Sequence, residues 1–356
     1  MNMTDPQVVI CNNLEADLQT FFASLNYDKV FVLTDTNTKE KCYPLIRNVT
    51  ALHDAPVITV EAGDTNKNLD TLSSIWTHLS NEGASRHSVL VNLGGGMITD
   101  IGGFAGATFK RGLTTVNIPT TLMASVDAAV GGKTGINFRG LKNEIGAFYP
   151  PKCVFIDCRF LQTLDRANLL SGYAEMIKHA LISSTDAYNA ILRFDPDMEI
   201  DYTALGTMVA QSVAVKERIV AEDPREQGIR KALNFGHTIG HAYESLSFKK
   251  NRPLLHGHAV AAGIISELYL SHTLSGFPSN RLSPVVRYIR EYYPPFVFGC
   301  KDYDALYELM THDKKNEGGI INFTLLSDIG KVEINQQVAK EKILESLDFY
   351  RESFGM

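Results

Sequence analysis

Short apolar, β-branched runs punctuate the first 160 residues at 30–33, 57–60, 89–91, 114–118 and 154–156, several of them ending in Asp, Gly or Thr. Segments of helical length and period, such as 69–79, lie between them. Continuous apolar runs alternating with helices predict parallel strands with crossover helices, a doubly wound sheet that binds ligands outside the carboxyl ends of its strands. From about residue 161 the pattern changes to long stretches of helical period at 161–183, 204–221, 234–247 and 256–274. These predict a mainly helical second domain. The segment 320–335 is the exception, reading as a hairpin around Asp328-Ile329-Gly330. With no repeat and no long linker, the pattern predicts two closely packed domains, 1–158 and 159–356, with a cleft between them.

One helical stretch carries the wrong residues for a core-facing stripe. Arg230, Asn234, His237 and His241 are spaced by four, three and four, which on a continuous helix places them on one face. A guanidinium, an amide and two imidazoles there need partners to offset desolvation, and a metal ion with an anionic ligand would supply them. Upstream, Glu175 and Lys178 stand one turn apart among apolar neighbours. Glu175 with two histidines makes a three-ligand, open zinc site of the catalytic kind, whereas a lone His-x-x-x-His pair is an ordinary helix surface.

Composition narrows the classes of function. A net charge of −6 lacks the basic surplus of a nucleic-acid footprint, so any basic cluster is local. Five scattered cysteines without a C-x-x-C pair suggest reduced thiols and a cytoplasmic protein. The N-terminus has acidic residues where a signal peptide needs a basic start. The longest apolar stretch, 259–270, is interrupted by Ser266 and Glu267 and is too short to span a bilayer.

In the first half, Gly94-Gly95-Gly96 follows an apolar run and precedes a helix carrying Asp100. Glycines there let a backbone approach a pyrophosphate at a helix N-terminus, although the G-x-G-x-x-G spacing is absent and a tight turn is the plainer reading. Pro119-Thr120-Thr121 offers two hydroxyls to cap the next helix. Asp127 leads to Gly131-Gly132-Lys133 and then Lys142-Asn143, which is not a Walker loop. Each lysine alone is a solvated charge, but Lys133, Lys142, Lys178, Lys216 and Arg230 together form a receptor for an anion.

These blocks, with Arg111-Gly112, His256-Gly257 and Asp313-Lys314-Lys315, resemble in order and spacing the 3-dehydroquinate synthase family of sugar-phosphate cyclases over about 35–328. The resemblance implies an α/β N-terminal Rossmann-like domain plus a mainly α-helical C-terminal domain. It implies Glu175, His237 and His256 as ligands of zinc or cobalt, with His241 a proton-transfer residue and Glu226 a second acid or base. Nicotinamide-dinucleotide (NAD) contacts are implied for Asp64, Lys67, Gly95, Gly96, Asp100, Thr120, Thr121, Lys142, Phe160 and Thr163, with Lys133 at the junction with the substrate. Asp127, Lys133, Asn143, Lys178, Lys216, Arg230 and Asn234 match substrate contacts, and Arg111 matches an arginine offered across a homodimer interface.

The implied reaction converts 3-deoxy-D-arabino-heptulosonate 7-phosphate to 3-dehydroquinate and phosphate in the shikimate pathway, with transient oxidation by NAD, elimination and aldol closure. No nucleic acid or membrane partner is expected. Two departures stand out: His258 replaces a common Glu, where it could alter support of the metal, and 137–141 differs from the usual loop before Lys142. The alternatives are a sister cyclase of the 2-epi-5-epi-valiolone synthase type, whose substrate lacks the carboxylate, and a metal-dependent alcohol dehydrogenase or a non-catalytic NAD-binding relative on the same fold. The dehydrogenase would leave Lys133, Lys142 and His241 without a phosphate to serve.

Overall fold

A computed structural model describes residues 7–139, 141–311 and 321–356. Asp313-Lys314-Lys315, Gly140 and the first residue of the expected hairpin, Ile320, lie outside the described residues. The chain forms two compact units, Met1–Asp165 with Tyr202–Val213, and Arg166–Asp201 with Ala214–Met356.

The first unit runs β1 (Gln7–Ile10), α1 (Leu14–Ser24), β2 (Val30–Asp35), α2 (Thr36–Lys41), β3 (Val57–Val60), α3 (Leu69–Asn81), β4 (Val89–Gly94), α4 (Gly96–Thr108), β5 (Thr114–Pro119), β6 (Lys133–Phe138), β7 (Leu141–Phe148) and β8 (Cys153–Ile156). Six strands form one parallel sheet in the order β1-β8-β5-β4-β2-β3. Alternate side chains of β2 explain its unbroken apolar run: Val30 and Val32 join one core with α1, while Phe31 and Leu33 join another with α3 and α4. The strand order reverses between β2 and β4, and next to that point the turns after β4 and β5 sit side by side, in register at Gly94 and Pro119.

Two elements depart from the sequence reading. Lys133 opens a strand rather than sitting in a loop, and β6 pairs with β7 as an antiparallel hairpin. Asp127 lies on a π-turn, Ala124–Ala128, a wide turn that recurs at functional sites.

The second unit contains α5 (Arg166–Leu181), α6 (Thr185–Ile191), most of the described helical residues after the shared α7 (Tyr202–Glu222), and α8 (His237–Lys249), α9 (His256–Ser275), α10 (Ser279–Tyr292), α11 (Tyr303–Thr311) and α12 (Lys340–Ser353). The expected hairpin is β9 (Asn322–Asp328) with β10 (Lys331–Gln337). Helix α5 is buried from Leu169 to Leu181, so Glu175, Lys178 and His179 sit inside the unit. Helix α9 touches α5 at Gly257, where a Cβ would fall 1.8 Å from the Ser171 carbonyl oxygen. Only glycine admits that approach.

Candidate active site

The expected four-residue stripe is broken. Arg230 and Asn234 belong to a 3-10 segment, Ile229–Asn234, and Gly236 then takes a left-handed φ of 78° before α8 starts at His237. A residue with a Cβ is disfavoured in that conformation, so the glycine ends one element and opens the next in a new direction. Only His237 and His241 share a helix face, and Arg230 is fixed separately. Its backbone N–H donates to Asp223 Oδ2 at 3.1 Å, and its guanidinium donates to the Pro224 carbonyl at 2.6 Å. Asp223 also accepts from the N–H groups of Gln227 and Gly228, a clamp on this loop that the sequence reading missed. Within the loop Asn234 Nδ2 donates to Glu226 Oε1 at 2.9 Å, and Glu226 itself has a left-handed φ of 60°.

Three imidazoles meet where α8 and α9 begin. The rings of His237, His241 and His256 have centroids 5.3–5.7 Å apart, and one nitrogen from each lies within 4.8 Å of the others. From α5, Glu175 Oε1 stands 3.5 Å from Nε2 of both His237 and His256. That oxygen is buried and accepts no hydrogen bond. Tetrahedral coordination with bonds of about 2.0–2.2 Å sets ligand atoms roughly 3.3–3.6 Å apart, so the two spacings fit a divalent cation held by Glu175, His237 and His256. Burial works to raise the Glu175 carboxyl, but the Lys178 ammonium and the His237 imidazole hold it well below the usual carboxylate range, and it is an anion.

The imidazoles of His237 and His256 are both held from behind. His237 Nδ1 is 3.1 Å from the Phe235 carbonyl, which fixes the proton on Nδ1 and leaves Nε2 its lone pair. The start of α8 is anchored by Glu267, fully buried on α9, which accepts the Gly236 and Ile239 N–H groups at 2.6 and 3.0 Å. A carboxylate on a helix N-terminus compensates both its own burial and the helix dipole. Its neighbour Ser266 is paired too, 2.9 Å from the Tyr243 hydroxyl. The two polar residues that interrupt the apolar stretch of α9 therefore each have a partner. His258 faces away, with Nε2 3.1 Å from the Ala167 carbonyl and its ring edge-on to Tyr293. Lys178 pairs with Glu175, and Lys216 is buried on α7.

The first unit gathers a second group of candidates. Lys67, 5% exposed, lies 3.0 Å from Asp100 and 3.4 Å from Asp64, and Lys142 lies 3.4 Å from Asp64. Burial works to lower the Lys67 ammonium, and the carboxylates of Asp100 and Asp64 more than reverse it. Asn137, another residue the sequence reading left without a role, donates to the Asp64 carbonyl at 2.9 Å and accepts the Asn143 N–H at 3.0 Å. Gly95 caps α4 without any side-chain hydrogen bond, and a Cβ on it would come within 3.0 Å of Thr121. The Thr120 N–H donates to the Gly94 carbonyl, and Thr121 Oγ1 accepts from Ala124 N at 3.1 Å, the expected capping role. Phe160 is buried on a 3-10 turn with Thr163, whose hydroxyl donates to the Phe160 carbonyl at 2.8 Å. A cradle of glycine backbone and an open helix N-terminus fits a dinucleotide pyrophosphate. Arg111 is exposed with a φ of 68° and follows Lys110 at 48°.

The family model described as 3-dehydroquinate synthase N-terminal matches residues 57–171, and its C-terminal counterpart matches 172–316. A 3-dehydroquinate synthase of Parabacteroides distasonis is 72% identical over 354 residues, covering 99% of this chain and 100% of the relative. Among solved structures, a 2-epi-5-epi-valiolone synthase of Streptomyces hygroscopicus with NAD+ and Zn2+ bound superposes with a TM-score of 0.85 at 24% identity, covering 99% of this chain and 98% of that one. A 2-deoxy-scyllo-inosose synthase complexed with carbaglucose-6-phosphate, NAD+ and Co2+ gives 0.80 at 23%, covering 97% and 96%. At those identities the structures bear on the fold, whereas the family matches and the close relative reach further. The chain belongs to the 3-dehydroquinate synthase family.

Proposed function

We propose that this chain converts 3-deoxy-D-arabino-heptulosonate 7-phosphate to 3-dehydroquinate and phosphate. In this reading Glu175, His237 and His256 hold a divalent cation, zinc or cobalt, and the glycine cradle with Lys67, Asp100, Thr120 and Thr121 holds NAD. The observation that carries it is the buried Glu175 Oε1, which accepts no hydrogen bond and stands 3.5 Å from two imidazole nitrogens, with Lys178, Lys216 and Arg230 buried in the same unit of an acidic chain. When bound, the cation acidifies a substrate hydroxyl and NAD takes up and returns a hydride.

The protein's own groups do the rest. Arg230, fixed by Asp223 and Pro224, receives the substrate carboxylate with Asn234, whose amide is oriented by Glu226. His241, one helical turn beyond His237, moves the proton that accompanies phosphate departure, and Glu226 is the second acid or base. Asp127, Lys133, Asn143, Lys178 and Lys216 bind the remaining polar atoms of the substrate, and Asp64, Lys142, Phe160 and Thr163 complete the cofactor contacts. Residues 1–158 serve as the dinucleotide domain and 159–356 as the metal and substrate domain. The same reading includes a homodimer in which Arg111, exposed in this chain, reaches the other protomer. No helix among the described residues is long and apolar enough to cross a membrane, and the scattered free thiols support a cytoplasmic location.

Zinc-loaded protein given the heptulosonate phosphate and NAD is expected to release phosphate with no build-up of NADH. Steady NADH formation with each turnover would replace this reading with a dehydrogenase. Arg230→Lys tests the substrate carboxylate, because an ammonium cannot form the two parallel hydrogen bonds of a guanidinium. It is expected to lower kcat/KM for the heptulosonate by about 2 kcal/mol while leaving use of sedoheptulose 7-phosphate, which lacks the carboxylate, near its original level. Equal loss on both substrates would detach Arg230 from the carboxylate.

A further inference from the structure

The helix that supplies His237 and His241 continues on the same face to Glu244, three residues further on. Glu244 is 5% exposed, and its Oε2 lies 3.3 Å from Nδ1 of His256 on the next helix. The other nitrogen of that ring, Nε2, is the one 3.5 Å from Glu175 Oε1. An imidazole has only two nitrogens, so a carboxylate accepting the Nδ1 proton leaves the Nε2 lone pair directed at the cation and fixes the ring about its own axis. His237 obtains the same service from the Phe235 carbonyl. A full negative charge behind His256 does more than a carbonyl dipole, since it also raises the electron-donating power of the ring.

The geometry points to Glu244 as a positioning residue that sets the tautomer, orientation and donor strength of His256, an inference that rests on the cation reading above. His258 takes no part in this support, because it is turned to the Ala167 carbonyl.

The test measures zinc binding by the purified protein, by competition with a chromophoric chelator, for the parent chain, Glu244→Gln and Glu244→Ala. Melting temperatures are taken on all three without metal. Glu244→Ala is expected to bind zinc about 10–100-fold more weakly. Glu244→Gln is expected to fall between Ala and the parent, because its side-chain carbonyl still accepts from Nδ1 but carries no charge. The metal-free melting temperatures should differ little, since the residue acts on the ligand and not on the core. Zinc affinity within twofold of the parent in both variants overturns the inference. Equal weakening in both, together with lowered metal-free melting temperatures, overturns it as well, because packing alone would then explain the loss. A parent chain that binds no zinc removes the cation reading itself, a result distinguishable from either of these.

Discussion

His256→Ala is expected to lose metal and turnover together, while His258→Ala keeps both. The two residues are separated by one glycine, and their surroundings decide the outcome. His256 presents Nε2 to Glu175 and Nδ1 to Glu244, whereas the His258 nitrogen is spent on the Ala167 carbonyl and its ring rests against Tyr293. In the proposed ligand set of Glu175, His237 and His256, removing one of three leaves a buried carboxylate and the His237 imidazole, too few to hold a catalytic ion. A bound divalent cation contributes several kcal/mol at the transition state, so turnover should fall by about a thousandfold or more. His258→Ala forfeits one hydrogen bond and one edge-on ring contact, which costs about 1–2 kcal/mol of stability and no metal. The measurement is metal content by elemental analysis beside turnover in excess zinc. Metal lost from the His258 variant and kept by the His256 variant would reverse the ligand assignment.

Gly257→Ala is expected to be nearly as damaging without removing any functional group. The added methyl would lie 1.8 Å from the Ser171 carbonyl oxygen and 2.5 Å from its carbon, both rigid backbone of α5. Helices α5 and α9 must then separate, straining the Gly257 N–H bond to Ser171 Oγ, now 3.1 Å. Overpacking at such a contact costs about 3 kcal/mol or more. The separation acts one turn from Glu175 on one helix and beside His256 on the other, so the 3.5 Å spacing between these donors widens with it. A lowered melting temperature accompanied by weakened zinc affinity is the expected pair of results. Unchanged zinc affinity in a destabilised variant would show that the donors move independently of the helix contact.

Much of this was legible in the chain, for physical reasons. Strands buried on both faces need apolar residues at every position, which is why 30–33, 89–91 and 154–156 stood out. Edge strand β1 has only β8 as a neighbour and leaves its residues partly exposed, and its short Val8-Val9-Ile10 run is not among the strands read from the sequence. The β6–β7 hairpin mixes polar with exposed apolar residues, among them Leu141 and Phe148, and is built around a close approach of Gly135 to Gly146, which no period reveals. At the site, histidines and lysines announced themselves because their chemistry is scarce in a core. The break between Asn234 and His237 was signalled by Gly236, but helical spacing outweighed it, since a stripe is visible in one dimension and a left-handed φ is not. Asp223, Glu244 and Glu267 were invisible as functional residues because their partners are backbone groups or side chains brought near only by the folded path.

The ion pair within α5 bears on how such a site can be built at all. Lys178 neutralises Glu175 from three residues away on the same helix, whereas the imidazoles that flank the carboxylate arrive from segments synthesised much later. A carboxylate destined for complete burial therefore has its counter-charge from the first moment its helix forms, when closing the long loops to α8 and α9 is still entropically costly. During synthesis the amino-terminal side of the site can collapse around a neutral pair before the histidines arrive, with Lys178 offsetting the charge that would otherwise oppose burial of Glu175.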